Sequence, residues 1–165
     1  MRVYNLDLLD RTDYGGFWQR AAATAIDSLI LYLPWHALAA FLGVWLHGSF
    51  QWRQSEGIEV AANVIVWGIY ATYFWTSDAR ATPGKRIMKL VVVTDDGFAL
   101  SAGKSLWRVA MMFVSGLFII GPLLAVFTQR RQALHDFLAG TVVVKENAAH
   151  RVKLAGFQET RGDGE

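Results

Sequence analysis

Three charged residues in or beside apolar segments are the strongest candidates for chemistry in this sequence. Two of them, Arg20 and Asp27, lie in the stretch GGFWQRAAATAIDSLILYLPW, residues 15–35. Their seven-residue spacing would place both on one helix face, ~10.5 Å apart along the axis. An ionised aspartate inside a bilayer costs about 2.5–3.5 kcal/mol on insertion scales. A carboxylate in such a position is therefore treated by default as a candidate functional residue.

Two roles for Asp27 follow from that cost. In the first role it is the titrating group of a site for a monovalent cation or a proton. In the second role it is a polar clamp that holds helices together. Protonation, a water-filled cavity, or pairing with Arg20 or another cation would each remove the cost of the buried charge.

The third candidate, Asp136, lies beside His135 in residues 129–140, a segment with the pattern of an amphipathic helix. It is either a surface or capping carboxylate, or a partner that folds back onto Arg20 or onto the TPGKR segment, residues 82–86. An Arg20–Asp136 pair would lock the first apolar segment to the C-terminal segment. Such a lock matters most when it is buried, because losing one charge strands the other.

Four further polar residues are accessory candidates. We expect Lys85 and Arg86 to bind lipid headgroups or to fix orientation, since their segment lacks the glycine frame of a phosphate-binding loop. His36 could extend a proton path, with a hydrogen bond between helices as the alternative. Asn63 has the cross-helix hydrogen bond as its expected role.

The elements that would position these residues indicate an all-α integral membrane fold. The chain has 165 residues, of which 53% are hydrophobic and 18% charged, whereas soluble proteins average about 25% charged residues. Apolar runs over Phe17–Leu46 and Ile58–Trp75 are close to or longer than the ~20 residues that a bilayer span needs. We therefore predict two clear transmembrane helices, with the lipid bilayer as the first partner.

Two β-branched runs predict a small β element outside the membrane. The Asp96-Gly97 pair after Val91–Thr94 is typical of a β-hairpin turn. A second run, Thr141–Val144, would leave its backbone groups unpaired as a lone strand. Its best partner in the sequence is Leu90–Thr94, so we expect these two strands to pair.

A third apolar stretch, residues 106–128, is interrupted at Gly116 and at Gly121-Pro122. It is either an ordinary crossing or a broken helical hairpin that is re-entrant or lies in the membrane plane. Short loops rich in Lys and Arg stay in the cytoplasm, and residues 76–108 carry six such cations. We therefore place this loop, the strand pair and both termini in the cytoplasm, which favours the hairpin.

Three strings of this sequence resemble one known family. They are GFWQRAAATAIDSLIL, ATPGKRIMKLVVVTDDG and RRQALHDFLAGTVVV, which together span roughly residues 14–146. The chain resembles the RDD family, named for one arginine and two aspartates, which fall here on Arg20, Asp27 and Asp136. The second aspartate often follows glycine in that family, whereas here it follows histidine.

The resemblance implies a small prokaryotic multi-pass protein of the inner (cytoplasmic) membrane. Transport of a ligand has been proposed for the family, and cation/proton antiport has been attributed to one branch. We expect an RDD-like membrane domain over residues 1–146 and a polar, poorly ordered tail over 147–165.

Other function classes have little support in the sequence. There is no cysteine, no Ser/His/Asp triad and no zinc-ligand spacing, so we expect no enzyme, no cofactor and no metal. The basic residues follow the membrane face, so nucleic acid is not expected. Two classes remain open: a small transporter or transporter subunit using Asp27, and a scaffold or accessory subunit with structural charges. Either class would need a homo-oligomer or a partner membrane protein.

Overall fold

The computed structural model describes residues 4–47, 56–117 and 120–153, which are mostly helical with one two-stranded sheet. The elements in chain order are α1 (Phe17–His47), α2 (Glu56–Thr76), α3 (Pro83–Ile87), β1 (Leu90–Thr94), α4 (Ala102–Leu117), α5 (Ile120–Phe127), α6 (Leu134–Leu138) and β2 (Thr141–Lys145). Residues 6–8 and 11–13 form short 3-10 turns, and residues 146–153 are helical.

Helices α1 and α2 cover the two segments for which transmembrane helices are predicted. Within the part of the chain that the structure describes, no helix combines the length and the apolarity needed to cross a membrane. The prediction of two clear transmembrane helices is therefore wrong for these residues. In α1, Arg20 and Asp27 interrupt the apolar sequence, and Asp27 is fully enclosed by protein instead of facing lipid.

The sheet forms by pairing distant strands. β1 and β2 are antiparallel, with Leu90 opposite Lys145 and Thr94 opposite Thr141, which confirms the pairing expected from their β-branched sequences. The predicted hairpin after β1 is wrong, although its tight turn forms. Gly97 donates to the Thr94 carbonyl at 3.0 Å, but the residues that follow are not a strand, because β2 takes the partner position.

Both faces of this sheet are covered. One face packs with α1, α2 and α4 through the core residues Ala23, Trp75, Val92, Val109 and Val143. The other face packs with the N-terminal turns and the C-terminal helix through Leu6, Tyr14, Val91, Val93, Val142 and Ala148. The all-valine centres of the strands fit this environment, since a strand buried on both faces needs no polar alternation.

Both edges of the sheet are also occupied. On the β1 side, the Val92 amide donates to the Arg80 carbonyl at 2.9 Å. On the β2 side, Tyr14 forms an isolated antiparallel bridge with Val144. The two strands therefore lie inside the molecule on all sides.

The C-terminal segment differs from the expected poorly ordered tail. Residues 146–153 are helical, and the side chains of Ala148, Ala149 and Val152 are buried. Their spacing places them on one side of a helix, where they cover the outer face of the sheet. Residues 154–165, the rest of that tail, lie outside the described residues.

The third apolar stretch contains two helices, α4 and α5, and the segment that follows it lies against α4. The indole Nε1 of Trp107, near the start of α4, donates to the Leu138 carbonyl at 3.2 Å. Both the ordinary crossing and the hairpin stay predictions for this stretch. The amphipathic helix expected over residues 129–140 is shorter than predicted, because Arg131 adopts a positive φ of 47° and α6 begins only at Leu134.

Helix α3 lies directly against α1, and a glycine makes the approach close. Pro83 occupies the first turn of α3, where its missing N–H costs nothing. Gly84 follows, and a Cβ at that position would collide with the Ala23 carbonyl oxygen and would lie 2.8 Å from Cγ of Asp27. Only glycine allows the two backbones to meet here.

We expect Gly84→Ala to lower the free energy of unfolding by about 1–3 kcal/mol, because an added methyl in a packed contact forces the backbone apart. Gly103→Ala in α4 is the matched control, since a Cβ there meets nothing within 4 Å. The control should be neutral or stabilising by up to about 1 kcal/mol. Thermal unfolding followed by tryptophan fluorescence measures both, and equal effects would contradict the close-approach argument.

Candidate functional site

The carboxylate of Asp136 is the centre of a buried charge cluster. Its side chain is 0% exposed and forms ion pairs with both Arg20 and Arg108. The Oδ2 atom that pairs with Arg20 also accepts a hydrogen bond from the Ala133 amide at 3.1 Å. Asp136 therefore caps the first turn of its own helix and neutralises charges from two other helices.

All three nitrogen atoms of the Arg20 guanidinium donate to protein acceptors. Besides the pair with Asp136, its Nε donates to the Gly15 carbonyl at 2.9 Å and its Nη2 to the Arg131 carbonyl at 2.6 Å. The turn at Arg131 before α6 presents that carbonyl. Arg20 thus joins the start of α1 to the loop and helix that carry Asp136, and the predicted contact between Arg20 and Asp136 is present.

Arg108 of α4 completes the cluster, and sequence reasoning missed it. Its side chain is 2% exposed, its Nη1 donates to the Thr141 hydroxyl, and its guanidinium carbon lies 5.1 Å from the centre of the Trp75 ring. In the sequence, Arg108 is the last of the six cations in residues 76–108, from which the cytoplasmic position of that loop is predicted. Its position between Trp107 and Val109, inside an apolar stretch, was the available signal that it needs a buried partner.

The charges of the cluster hold Asp136 in its ionised form. Burial alone would raise the pKa of Asp136, but the guanidinium groups of Arg108 and Arg20 lower it well below its usual range. A carboxylate shared by two arginines is therefore a permanent anion rather than a group that exchanges protons near neutral pH.

His135 is a neutral member of the same cluster. Its Nε2 lies 3.4 Å from Asp136 Oδ1 and its Nδ1 lies 3.4 Å from the Ser115 hydroxyl. Burial lowers the pKa of His135 to about 4, although the Asp136 charge acts in the opposite direction. Because an ionised carboxylate only accepts, the neutral ring is expected to carry its proton on Nε2 and to accept from Ser115 at Nδ1.

Asp27 belongs to a second, separate group and does not pair with Arg20. Its Oδ1 accepts from the Gly84 amide at 2.7 Å and from the Tyr70 hydroxyl at 2.9 Å, and its Oδ2 accepts from the Thr82 hydroxyl. These donors come from α2 and from the start of α3. The structure thus surrounds Asp27 with Tyr70 of α2 and with the segment that follows α2.

Lys85 connects the two groups. Its side chain is buried, and its ammonium lies 5.2 Å from the centre of the Trp75 ring, on which Arg108 also lies. Burial, and then the charge of Arg108, lower the pKa of Lys85 to about 8. Lys85 therefore lies inside the protein, whereas its neighbour Arg86 is exposed, and the lipid-headgroup role expected for this pair stays a prediction.

The remaining accessory candidates lie away from the cluster. His36 and Asn63 are both exposed, and no cross-helix hydrogen bond from Asn63 occurs within the described residues. Across the described ranges 4–47, 56–117 and 120–153, no group of His, Cys, Asp and Glu side chains has the geometry of a metal site.

The residues Arg20, Asp27 and Asp136, which are far apart in the sequence, thus form two buried joints, each a polar contact that connects distant segments of the chain. The sequence model described as the RDD family matches residues 14–140, which include all three. The chain belongs to the RDD family. Family membership supports a membrane protein of this kind, since the family is generally membrane-associated.

A curated relative matches over most of both chains. The RDD chain is 26% identical over 145 residues to the uncharacterized protein YxaI of Bacillus subtilis (strain 168), an alignment that covers 78% of this chain and 95% of that protein. No solved structure matches the chain significantly.

We expect Asp136→Asn to lower the free energy of unfolding by about 3–5 kcal/mol, because it leaves two buried guanidinium groups without their counter-charge. Asp13→Asn is the matched control. Asp13 pairs with Arg151 at 2.7 Å, but the Arg151 side chain is 64% exposed, so the loss should be about 0–1 kcal/mol. Chemical unfolding measures both, and similar losses would contradict the central role of Asp136.

We expect stability to fall as the pH is lowered from 6.5 towards 4, with part of this fall due to His135. The unfolded histidine takes up a proton near 6.5, whereas the native one resists protonation until about 4, so the unfolded state binds more protons in this window. His135→Gln should flatten the dependence of the melting temperature on pH over that range. His150→Gln, at an exposed position, is the control and should keep the wild-type slope.

Proposed function

We propose that this RDD-family chain is a membrane-associated scaffold or accessory subunit whose Arg and Asp charges lock its fold. In the competing proposal the chain is a cation/proton-coupled transporter, or a subunit of one, with Asp27 as the titrating group. The observation that favours the scaffold is the complete enclosure of Asp27 by three hydrogen-bond donors.

The contacts of Asp27 leave little room for a transported ion. A carboxylate that carries ions or protons across a membrane faces a water-filled pathway or the bundle interior along which the ion moves. Here the carboxylate is 0% exposed, and both of its oxygens are engaged by protein donors. A cation would have to displace a backbone amide or a hydroxyl before it could bind.

Both carboxylates connect segments that are far apart in the chain. Asp27 of α1 holds Tyr70 of α2 and the start of α3, and Asp136 of α6 holds Arg20 of α1 and Arg108 of α4. Each contact would be expensive to break, because a buried polar group left without its partner is destabilising. Rigid joints of this kind support a scaffold more than a moving carrier.

A scaffold acts by binding, so the proposal includes a second copy of the chain or another membrane protein as partner. Helix α2 carries exposed apolar side chains at Ile65, Ile69 and Tyr73. Their four-residue spacing forms one stripe along the helix, and such a stripe fits a lipid or helix contact. Gly68 and Ala71 of the same helix are buried, and Gly68 lies near Val109 of α4, so that side of α2 is already occupied within the chain.

The two proposals give different results in liposomes. We expect wild-type protein to produce no more sodium, potassium or proton flux than protein-free liposomes. Asp27→Asn should lower the melting temperature, with a loss of about 1–3 kcal/mol in the free energy of unfolding. The substitution replaces one acceptor oxygen with an NH2 donor, and the surrounding groups supply only donors. Asp96→Asn in the exposed turn is the matched control and should melt like the wild type.

A wild-type flux that Asp27→Asn abolishes while leaving the melting temperature unchanged would overturn the scaffold proposal. The measurement uses a pH-sensitive dye inside the vesicles under imposed sodium, potassium and proton gradients. Protein in the same detergent supplies the melting curves.

A further inference from the structure

A cavity of about 430 Å³ lies between α1, α4 and α6, next to the charge cluster. Its polar wall includes Arg20, Lys85 and Arg108, and its apolar wall includes Phe17, Trp75 and Met112. Among the described residues, no Asp or Glu lines it. A mostly apolar pocket with a few charged groups on one side is the general form of a small-molecule site, and the cations of this pocket favour an anion.

We infer that this cavity binds an amphiphilic anion, with its carboxylate or phosphate head at the Lys85 ammonium and its apolar body against Phe17 and Met112. This inference goes beyond the scaffold proposal, because a structural role for Asp27 and Asp136 neither requires nor excludes a ligand.

The first argument is the missing partner of Lys85. Buried charges in proteins are paired or coordinate an ion, since an isolated one is costly. Within the described residues, no carboxylate lies within ion-pair distance of the Lys85 ammonium and no acceptor receives a hydrogen bond from it. The Trp75 ring at 5.2 Å is its remaining contact, and that ring is shared with Arg108.

The second argument is the local balance of charge and donors. Arg20 and Arg108 already share the single carboxylate of Asp136, and both oxygens of Asp27 are held by neutral donors. Within the described residues, the Nε1 of Trp75 and the Nε of Arg108 also lack an acceptor, whereas the acceptor Asp136 Oδ1, which makes no hydrogen bond either, forms the ion pair with Arg108. This part of the interior therefore has more donors than acceptors, which is the imbalance that an anionic ligand corrects.

The third argument is size. Water occupies about 30 Å³ per molecule in the liquid, so the cavity could hold the volume of roughly fourteen waters. An inorganic phosphate or chloride would fill only a small part of it and would leave Phe17 and Met112 uncovered. An anion with a short hydrocarbon body uses both the cationic and the apolar wall.

The charge state of Lys85 suits this role at neutral pH. Although burial lowers its pKa to about 8, the ammonium form still predominates at pH 7. His135 on the cavity wall is neutral at this pH and adds no positive charge, so Lys85, Arg20 and Arg108 supply the cations of the cavity.

The test compares hexanoate with 1-hexanol, which has the same chain length and no charge. Full-length protein in an uncharged detergent is titrated with each by calorimetry, at pH 7. We expect saturable hexanoate binding and at least about tenfold weaker binding of hexanol, since a hydrogen bond to a charged group is worth about one factor of ten or more. Equal binding of the two would overturn the inference, because the cavity would then recognise only apolar surface.

Two variants and one control assign the binding to this cavity. Lys85→Met keeps the aliphatic stem and removes the ammonium, so hexanoate should bind at least about tenfold more weakly, while the melting temperature should not fall. Ala21→Leu narrows the cavity from α1 without changing charge, and it should also weaken hexanoate. Arg86→Met removes the exposed cation one residue along α3 and should leave the affinity within twofold. Wild-type affinity in Lys85→Met, or an equal loss in Arg86→Met, would overturn the inference.

A second arm separates a membrane lipid from a soluble acid as the source of the anion. The wild type and Lys85→Met are reconstituted into vesicles of phosphatidylcholine alone and of phosphatidylcholine with phosphatidylglycerol. If an anionic lipid occupies the cavity, phosphatidylglycerol should raise the wild-type melting temperature and displace hexanoate, and it should do neither in Lys85→Met. If a soluble acid is the ligand, hexanoate should bind the wild type equally in both vesicles. If hexanoate binds Lys85→Met as tightly as the wild type in both vesicle types, neither a lipid nor a soluble acid is held at Lys85, and the inference is wrong.

Discussion

The sharing of one carboxylate, Asp136, by two buried arginines is the interaction on which the rest of this structure depends. Arg20 fixes the start of α1, Arg108 fixes α4, and the backbone amide of Ala133 fixes the first turn of α6 to the same group. The first residue of β2 is bonded to the same cluster. The Thr141 hydroxyl accepts from Arg108 and donates to the Asp136 carbonyl at 3.3 Å. Because Thr141 also pairs with Thr94, these hydrogen bonds help to fix the register of β2 against β1.

The two aspartates of the family set solve the problem of burial in different ways. Asp136 is stabilised by opposite charges, which lower its pKa and make it permanently anionic. Asp27 is stabilised by neutral donors, two hydroxyls and one amide, which supply directed hydrogen bonds without a counter-charge. A buried ion pair is broken at high cost from either side, whereas the Asp27 joint depends on the position of a glycine backbone. The same residue type therefore acts as an electrostatic joint in one place and as a steric and hydrogen-bonding joint in the other.

The sequence predicted those features that have a signature in residue type. An arginine and an aspartate near apolar segments indicate a pair, and two β-branched runs without other partners indicate a sheet. Features with neutral or backbone partners could not be predicted, because a glycine amide and a threonine hydroxyl that bind Asp27 look like any loop residue. Arg108 was misplaced because the basic loop before it was taken to extend to this position, although its apolar neighbours Trp107 and Val109 indicate burial. The apolar runs overestimated α1 and α2 as membrane spans, since none of the described helices combines the length and the apolarity needed to cross a membrane.

The separation of Arg20 and Asp136 along the chain, 116 residues, also constrains how the protein is made. At about 5–20 residues per second, Asp136 leaves the ribosome roughly 6–23 s after Arg20. Until then α1 and α4 each carry an arginine whose burial would be uncompensated, and β1 has no partner strand. The native packing can therefore be completed only after Asp136 and β2 have been made, so the segments made before them spend their first seconds in need of lipid, a chaperone or their own solvation.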